Sequence, residues 1–419
     1  MAQVSMRDAY GQALVALGER NERVVVLDAD VSKSTRSVLF KERFPDRFFN
    51  VGIAEANMMN IAGGLAASGK IPFVNSFSFL LTLRAGEQLR TGIAYPRLNV
   101  KVAGAYGGLS DSYDGPTHQD PMDIAVMRAM PNMVVISVSD AIQARKVVNA
   151  VAEYEGPVYF RLHRNVVPDV SREEDPFEIG KAVWHRRGSD VTLVATGIMV
   201  SKSLEASELL AKEGISAGVL EIHTIKPIDV DALTEAAENT GAIVTAEEHN
   251  IFGGLGGAVA EALSERCPVP IERVGIRDVF AESGAYEALL EKYGLTPRDV
   301  EAAVRRLEGR RLQRPPAYSA RRYGGRRLYD LARRGLVEEE QLAARAREVE
   351  IYHAELAGMG EARSGPYRGY PTALITVRCS GGTYVRELAE AVGNELGTGA
   401  CLSFLVRTEC GGLRLHDCA

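Results

Sequence analysis

Cysteine, tryptophan and long uncharged apolar runs are scarce in this 419-residue chain. The five cysteines are widely spaced and form no CxxC pair, which argues against a disulfide framework and a zinc site and predicts reduced thiols. No uncharged apolar run reaches the ~18 residues of a membrane helix, and the first residues lack the apolar core of a signal peptide. These absences predict a cytoplasmic protein without a membrane span.

Lysine is missing from the last part of the chain. All ten lysines precede residue 309, whereas residues 309–419 hold 17 arginines and 13 acidic residues, so this part carries +4 in a chain of net charge −6. The abrupt change in composition predicts a separate tail module at residues 308–419.

Short apolar runs alternate with helical patterns over residues 1–165 and again over residues 181–307. Continuous apolar runs separated by helices are typical of parallel sheets buried on both faces. Residues 166–180 contain two prolines and five acidic residues with little periodicity, so we expect a linker there. The predicted fold class is α/β: two successive α/β domains with mostly parallel sheets, followed by an incomplete α+β tail module.

Polar clusters follow three of the predicted strands, at residues 28–35, 75–78 and 107–118. Ligands of parallel α/β folds gather at the carboxyl ends of the strands, so these clusters are expected to surround one site.

A glycine cluster, residues 253–257, opens a predicted helix. It suits either a phosphate or close helix–strand packing, and packing is the preferred interpretation because GxGxxG is incomplete.

Glu55 lies at a junction between a short apolar strand and a helix rich in small residues. A glutamate in a first helical turn can simply be solvated and favoured by the helix dipole. Its neighbours, such as Ile53 and Met58, are apolar, and a carboxylate among apolar groups must be paired, protonated or hydrogen-bonded. Gly63 and Gly64 would let another backbone or a ligand approach this helix.

The loop Asp114-Gly115-Pro116-Thr117-His118-Gln119 places an acid and an imidazole four positions apart. Its Gly-Pro turn would let Asp114 and His118 point into one pocket, although a lone loop histidine is usually solvated. Phe77 and Phe79 follow the second of the three strands and can serve either as a stacking surface or as core.

These motifs resemble the transketolases. Val51-Gly52-Ile53-Ala54-Glu55, the phenylalanine segment, DGPTHQ and Asp28-Ala29-Asp30-Val31-Ser32-Lys33-Ser34 occur in the family's order over residues 1–307. The resemblance implies that Glu55 bonds the ring nitrogen N1′ of thiamine diphosphate and is catalytic. It also implies that Phe77, Phe79 and Asp30 bind this cofactor.

The resemblance also implies a sugar-phosphate site. Ser34 and Arg164 would contact the phosphate, Asp114 a substrate hydroxyl, and the catalytic His118 the reacting oxygens. The planar guanidinium of Arg164 suits a phosphate because it can donate two parallel hydrogen bonds. His163 stands where the family usually has serine, which leaves the pocket edge and the preferred sugar open.

The GDG motif with which transketolases hold the diphosphate and magnesium is absent. The chain therefore resembles the C-terminal subunit of a split transketolase of the pentose phosphate pathway, transferring a two-carbon ketol unit from a ketose phosphate to an aldose phosphate. An N-terminal subunit would carry the diphosphate domain and bind most of the Mg²⁺, with a homodimer of this chain inside a heterotetramer. No metal ligands are expected in this chain. A 1-deoxyxylulose-5-phosphate synthase and a 2-oxoacid dehydrogenase beta subunit are the alternatives within enzymes.

The tail resembles TruB-type tRNA pseudouridine synthases. Three ordered segments carry the likeness: residues 313–320, 325–335 and 379–386. It assigns Tyr384 and Arg386 to a uridine pocket, but the GxLDPxxxG motif with the catalytic aspartate is absent, so the tail looks like a fragment that begins midway and stops early. Neither pseudouridine synthesis nor nucleic-acid binding is expected. An RNA-binding protein acting through the tail is the alternative outside enzymes.

Overall fold

The computed structural model describes residues 5–307 and, beyond them, residues 309–313, 322–323, 326–327, 347–361, 371–379, 388–389, 409–410 and 413–414. Tyr384 and Arg386 lie outside the described residues. The chain divides into two compact units, Met1–Leu307 and Glu308–Ala419. None of the described helices is long and apolar enough to cross a membrane.

The described residues of the first half of unit one, from residue 5 onwards, form six strands and seven α-helices. The strands are β1 (Val24–Asp28), β2 (Phe48–Asn50), β3 (Ile71–Phe77), β4 (Lys101–Ala105), β5 (Val134–Ser137) and β6 (Val158–Leu162). The helices are α1 (Met6–Arg20), α2 (Ser32–Thr35), α3 (Val38–Arg43), α4 (Glu55–Ala67), α5 (Gly86–Leu89), α6 (Asp123–Ala129) and α7 (Ala141–Glu153). Two π-helical segments, Leu80–Arg84 and Arg90–Ala94, flank α5.

The second half contains six strands and five α-helices. The strands are β7 (Val183–Arg186), β8 (Val191–Ala195), β9 (Ala217–Glu221), β10 (Thr224–Lys226), β11 (Ile243–Asn250) and β12 (Ile271–Ile276). The helices are α8 (Met199–Lys212), α9 (Val230–Thr240), α10 (Leu255–Ser264), α11 (Tyr286–Lys292) and α12 (Pro297–Leu307).

Two mostly parallel sheets form the core of unit one. The first has the order β10-β5-β6-β4-β3-β1-β2 and is parallel except for β10, which joins from the second half antiparallel to β5. The second has the order β12-β11-β8-β9-β7 and is parallel except for β7. Every residue of β1, β4, β6 and β8 is buried, as expected of strands covered on both faces. The predicted pair of α/β domains is confirmed.

The segment predicted as a linker, residues 166–180, contains no helix or strand. It is nevertheless held to the first domain, because the Asp140 carboxylate accepts hydrogen bonds from the backbone N–H groups of Val170 at 2.8 Å and Ser171 at 2.7 Å. The two domains also meet around Glu221, a buried carboxylate that accepts bonds from Gln143 at 2.8 Å and His185 at 2.6 Å.

Most of the described residues of unit two form strands, and residues 388–389 are helical. β13 (Gly309–Gln313), β16 (Arg347–Glu361) and β17 (Pro371–Cys379) form an antiparallel sheet in the order β13-β16-β17. Two short antiparallel pairs complete them: β14 (Arg322–Tyr323) with β15 (Arg326–Arg327), and β18 (Glu409–Cys410) with β19 (Leu413–Arg414).

Candidate active site

Glu55 is the first residue of α4, and only 1% of its surface is exposed. Its Oε2 lies 3.2 Å from Nη1 of Arg84, whose side chain is 55% exposed at the end of the π-helical segment that follows β3. Glu55 is therefore not a solvated helix-start residue. Its buried carboxylate is paired with a cation that remains in contact with solvent.

The two glycines of α4 differ in their surroundings. A Cβ on Gly63 would lie 3.2 Å from the carbonyl oxygen of Gly92, so another backbone does approach here. A Cβ on Gly64 would meet nothing within 4 Å. Within this chain, only the first glycine is tightly packed against another segment.

The predicted aromatic segment and the predicted histidine lie together. Phe77 stacks on Tyr106 with ring centroids 5.1 Å apart, and the His118 ring is in a T-shaped arrangement with both Phe77 at 6.1 Å and Phe79 at 5.6 Å. His118 Nδ1 also lies 3.0 Å from Oγ1 of Thr117. Phe77, Phe79 and His118 are all partly buried, so their rings remain accessible from the site.

The loop that carries His118 is anchored by the second domain. Gly115 has a φ of 79°, and a Cβ there would collide with Oγ of Ser283, so glycine is needed for both the turn and the close approach. The N–H of Gly284 donates to the Ser112 carbonyl at 3.0 Å, and the Gln119 amide donates to the Glu282 carbonyl at 3.1 Å.

Arg164 reaches the same loop. Its Nη1 contacts the carboxylates of Asp111 and, at 3.4 Å, of Asp114, and its guanidinium lies 5.1 Å from the centre of the Tyr106 ring. Burial, followed by the neighbouring Asp114, raises the pKa of Asp111 to about 6. Sequence reasoning missed Asp111, although an acid three positions before Asp114 was a signal that the loop concentrates negative charge.

The segment after β1 brings Asp30 and Ser34 to this edge of the sheet. Asp30 has a φ of 65° and accepts a 2.9 Å bond from the Asn50 amide. The Ser34 carbonyl accepts bonds from the Tyr106 hydroxyl at 2.9 Å and from Arg7 Nη1 at 3.4 Å.

Arg7 is a second residue that sequence reasoning missed. It shares with Arg164 a cavity of about 520 Å³, whose other lining residues are Ser5, Asp8, Gln12, Asn165 and Val166. Two guanidinium groups in one cavity make this a site suited to an anion.

A buried acidic pair lies behind the loop. Asp120 accepts bonds from the Met122 N–H at 3.1 Å and from the Thr82 hydroxyl at 3.2 Å, while Asp123 pairs with Arg161 at 3.1 Å. Burial, reinforced by the charge of Asp123, raises the pKa of Asp120 to about 7.

The glycine cluster at the start of α10 faces a carboxylate. Glu247 accepts bonds from the N–H groups of Leu255 at 2.6 Å and Gly256 at 2.8 Å, and a Cβ on Gly254 would collide with its Oε2. An internal acid thus occupies this helix N-terminus, in agreement with the packing interpretation.

The residues of this edge fit thiamine diphosphate in part. A buried carboxylate and a partly buried aromatic surface are suited to an aminopyrimidine ring, and Glu55, Phe77 and Phe79 provide them. Among the residues that the structure describes, no group of three or more His, Cys, Asp or Glu side chains is arranged to hold a metal ion.

The fold and the site define an α/β enzyme chain of two sheet domains, with acid, imidazole and guanidinium groups at the carboxyl edge of the first sheet. This chain belongs to the transketolase family. The sequence model of the transketolase pyrimidine binding domain matches residues 2–169, and that of the transketolase C-terminal domain matches residues 180–300. The family depends on thiamine diphosphate.

Individual relatives agree with this assignment. A 6-deoxy-6-sulfo-D-fructose transketolase subunit of Clostridium sp. strain MSTE9 is 43% identical over 306 residues, which are 73% of this chain and 95% of the relative. An apulose-4-phosphate transketolase subunit of Phocaeicola vulgatus is 39% identical over 70% of this chain and 94% of its own length. A solved structure described as a split gene transketolase, inactive beta4 tetramer, shares 50% identity and a TM-score of 0.68 over 73% of this chain and 98% of its own.

The tail gives a separate match. The sequence model of the TruB family pseudouridylate synthase N-terminal domain matches residues 281–385, overlapping the transketolase match over residues 281–300. The predicted resemblances to transketolases and, in the tail, to TruB synthases are both found again.

Proposed function

We propose that this chain is the C-terminal subunit of a split transketolase, which transfers a two-carbon ketol unit from a ketose phosphate to an aldose phosphate. The proposal rests chiefly on one observation: a buried glutamate, an aromatic–imidazole cluster and an arginine-lined cavity occupy one edge of the first sheet. These groups correspond to the needs of cofactor, reacting oxygens and phosphate.

The residues of this chain have distinct tasks in the proposed reaction. When bound, thiamine diphosphate supplies the carbon nucleophile and the electron sink for cleavage of the carbon–carbon bond. Glu55 holds a proton at the ring nitrogen N1′, and Phe77 and Phe79 provide the aromatic surface, with Asp30 at the same edge. His118 stabilises the developing charge on the reacting oxygens, and Asp114 accepts a bond from a substrate hydroxyl.

Phosphate binding is assigned to the arginine-lined cavity. Arg164 and Arg7 would donate to the phosphate oxygens, with Ser34 nearby. Because Arg164 uses only Nη1 for its contacts with Asp111 and Asp114, its other donors are available for a planar two-pronged contact.

A partner subunit is part of the proposal, because the GDG motif is absent. Ile53 and Leu83, which are 75% and 51% exposed, are sequence neighbours of the Glu55–Arg84 pair, and exposed apolar side chains beside a reactive group suit an interface. The named relatives are likewise described as subunits. We propose an N-terminal subunit that carries the diphosphate and Mg²⁺, assembled with a homodimer of this chain into a heterotetramer.

Reconstitution tests the proposal. The purified chain is assayed alone and with a diphosphate-domain subunit, thiamine diphosphate and Mg²⁺, using ketose phosphate donors and aldose phosphate acceptors. Ketol transfer is expected only in the complete mixture. Turnover by the chain alone would contradict the split site.

The same assay separates the alternative functions. A 1-deoxyxylulose-5-phosphate synthase or a 2-oxoacid dehydrogenase beta subunit would consume a 2-oxoacid and release CO₂, whereas a transketolase releases an aldose. A salt-dependent affinity for tRNA would instead favour the RNA-binding alternative.

A further inference from the structure

Glu248 is a buried acid of the second domain whose side chain enters the first. It belongs to β11, is 3% exposed, and its Cδ lies 2.6 Å from where a Cβ of Gly108 would stand. Gly108 has a φ of 65°, so glycine permits both the turn and the entry of Glu248. A carboxylate this deeply buried must be well bonded to be stable.

Glu248 anchors the start of the loop that carries Asp111, Asp114 and His118. Its Oε1 accepts a bond from the N–H of Leu109 at 2.8 Å, and Leu109 lies two residues before Asp111. Its backbone carbonyl accepts a bond from Arg161 at 2.9 Å. Burial by itself would raise the pKa of Glu248, but the interactions with His163 and Arg161 outweigh it, and the pKa lies below its ordinary value.

The same carboxylate is linked to the turn that carries Arg164. Tyr286 donates its hydroxyl proton to Glu248 Oε1 at 3.1 Å, and His163 Nε2 lies 2.9 Å from the Tyr286 oxygen. His163 Nδ1 accepts the backbone N–H of Asn165 at 3.1 Å, so Nε2 carries the ring proton. Nε2 faces the Tyr286 oxygen and also lies 3.5 Å from Glu248 Oε2. His163 is 6% exposed and therefore belongs to this buried chain of bonds, not to the pocket edge.

Both partners of the ion pair between Arg164 and Asp111 are thus linked to the Glu248 side chain. Glu248 bonds the N–H of Leu109, at the start of the segment that carries Asp111. Through Tyr286 it is linked to His163, whose ring bonds the N–H of Asn165 on the far side of Arg164. Arg164 also lines a second cavity of about 430 Å³ together with Tyr286, Asn165 and Ser110.

We propose that Glu248, Tyr286 and His163 form a relay of positioning residues through which the second domain holds Arg164 and Asp111 in register for an anionic substrate group. The inference rests on the proposed function of Arg164. It gives the second domain a direct part in substrate recognition.

Tyr286→Phe tests the relay with the smallest change. It removes the hydroxyl that bonds both His163 and Glu248, keeps the ring, and leaves the direct 3.5 Å approach of His163 to Glu248 in place. In the reconstituted enzyme we expect the KM for phosphorylated acceptors to rise about tenfold, which corresponds to about 1.4 kcal/mol, with kcat and the KM for an unphosphorylated acceptor unchanged. Tyr293→Phe, the same change just beyond the end of α11, is the matched control and should have no effect.

A double-mutant cycle tests whether the residues act in series. His163→Leu keeps the ring's approximate bulk, and when it is combined with Tyr286→Phe, KM should rise no further than in the worse single variant. Multiplying effects would overturn the relay. Equal losses for both kinds of acceptor, or losses that follow a lowered unfolding temperature, would assign these residues to fold stability and overturn it as well.

A spectroscopic readout separates this proposal from the proposed function. The ¹⁵Nε signal of Arg164, assigned by its loss in Arg164→Lys, should be shifted or broadened by Tyr286→Phe and unaffected by Tyr293→Phe in the isolated chain. If no partner yields ketol transfer, the proposed function fails, but this signal still reports on the relay. An Arg164 signal that Tyr286→Phe leaves unchanged would overturn the relay whatever the enzyme's activity.

Discussion

At the residue scale, Glu55 combines deep burial with a partner that remains in solvent. The Arg84 side chain contributes one contact at 3.2 Å and is more than half exposed, so the carboxylate can change partners without exposing itself to water. A residue needed only for structure would gain little from such an arrangement.

Glu55→Gln should therefore affect chemistry far more than stability. In the reconstituted enzyme, we expect exchange of the thiazolium C2 hydrogen of bound cofactor with deuterium to slow by about 10²-fold or more, the usual scale of acid–base assistance. The unfolding midpoint should change little. Glu87→Gln, which alters an exposed glutamate paired with Arg90, is the control. An unchanged exchange rate would leave Glu55 as a structural residue only.

Arg164→Ala should raise KM for phosphorylated sugars by about tenfold or more, since ~1.5–3 kcal/mol of charge-assisted bonding is lost. It should also lower the free energy of unfolding by about 1–2 kcal/mol, because buried Asp111 loses its cation, although the 35% exposure of Arg164 limits this cost.

The double variant Arg164→Ala/Asp111→Asn separates the two effects. Removing the unpaired charge should restore stability without restoring KM, as measured by denaturant unfolding and steady-state kinetics. Recovery of KM together with stability would refute a phosphate-binding role for Arg164.

The site residues that were predicted from the sequence all belong to short sequence motifs. Glu55, Phe77 and His118 stand in motifs of a few residues, and the structure brings the last two into contact. Arg7, Asp111 and Glu248 were missed because their roles come from packing between distant segments. Glu248, for example, bonds Leu109, which lies 139 positions earlier.

At the element scale, the strands of five or so buried residues were predictable because they are continuously apolar. The insertion of β10 into the first sheet was not, since Thr224 pairs with Ile136 across domains that are separate in sequence. Register between distant segments depends on the assembled core and leaves no local pattern.

The adjacent glycines of α4 allow a matched test of packing. Gly64→Ala should stabilise the isolated chain by about 0.5–1 kcal/mol, because alanine favours a helix and its Cβ has open space. Gly63→Ala should be less stable than Gly64→Ala by about 1 kcal/mol or more, because its Cβ would press on the Gly92 carbonyl. Equal unfolding free energies would show that the backbone contact tolerates a methyl group.

Asp120 should make stability depend on pH. Its pKa, about 7, lies above the ordinary aspartate value, so the folded state retains a proton that the unfolded chain releases. The stability that this group contributes is therefore present below the ordinary pKa and is lost as pH rises towards 7.

Asp120→Asn removes that loss. Between about pH 5 and pH 8, its unfolding free energy should fall by about 1–3 kcal/mol less than that of the unchanged chain. Asp46→Asn, at an exposed position, is the control. Denaturant titrations at a series of pH values measure the difference, and parallel curves for Asp120→Asn and the unchanged chain would disprove it.

At the scale of the whole molecule, every residue assigned to the site lies in unit one. Along the sequence, the first of them is Arg7 and the last is Tyr286, and both precede the boundary between the units after Leu307. The match to the TruB family begins at residue 281, inside this unit, and includes both α11 and α12. The transketolase match includes α11 and the start of α12.

The burial of their side chains shows that α11 and α12 belong to unit one, which contains the two transketolase domains. The two helices and the turn between them bury Leu289, Leu290, Leu295, Val300 and Ala303 in the main core of unit one. Each of the four large apolar side chains in this set stabilises by about 1.5–3 kcal/mol when fully buried, so their joint removal would cost about 6–12 kcal/mol, comparable with the stability of a whole domain. A functional boundary should therefore fall after α12, not at residue 281.

Two truncations test this boundary and the role of the tail. Cutting after Glu308 should preserve ketol transfer with the partner subunit, whereas cutting after Phe280 should unfold the second domain and abolish it. The full-length chain should make no pseudouridine in unmodified tRNA, because the GxLDPxxxG motif that would supply the catalytic carboxylate is absent and Tyr384 and Arg386 could at most help to hold a flipped base. Loss of ketol transfer in the longer truncation product, or detectable pseudouridine from the full-length chain, would show that residues 309–419 have a task of their own.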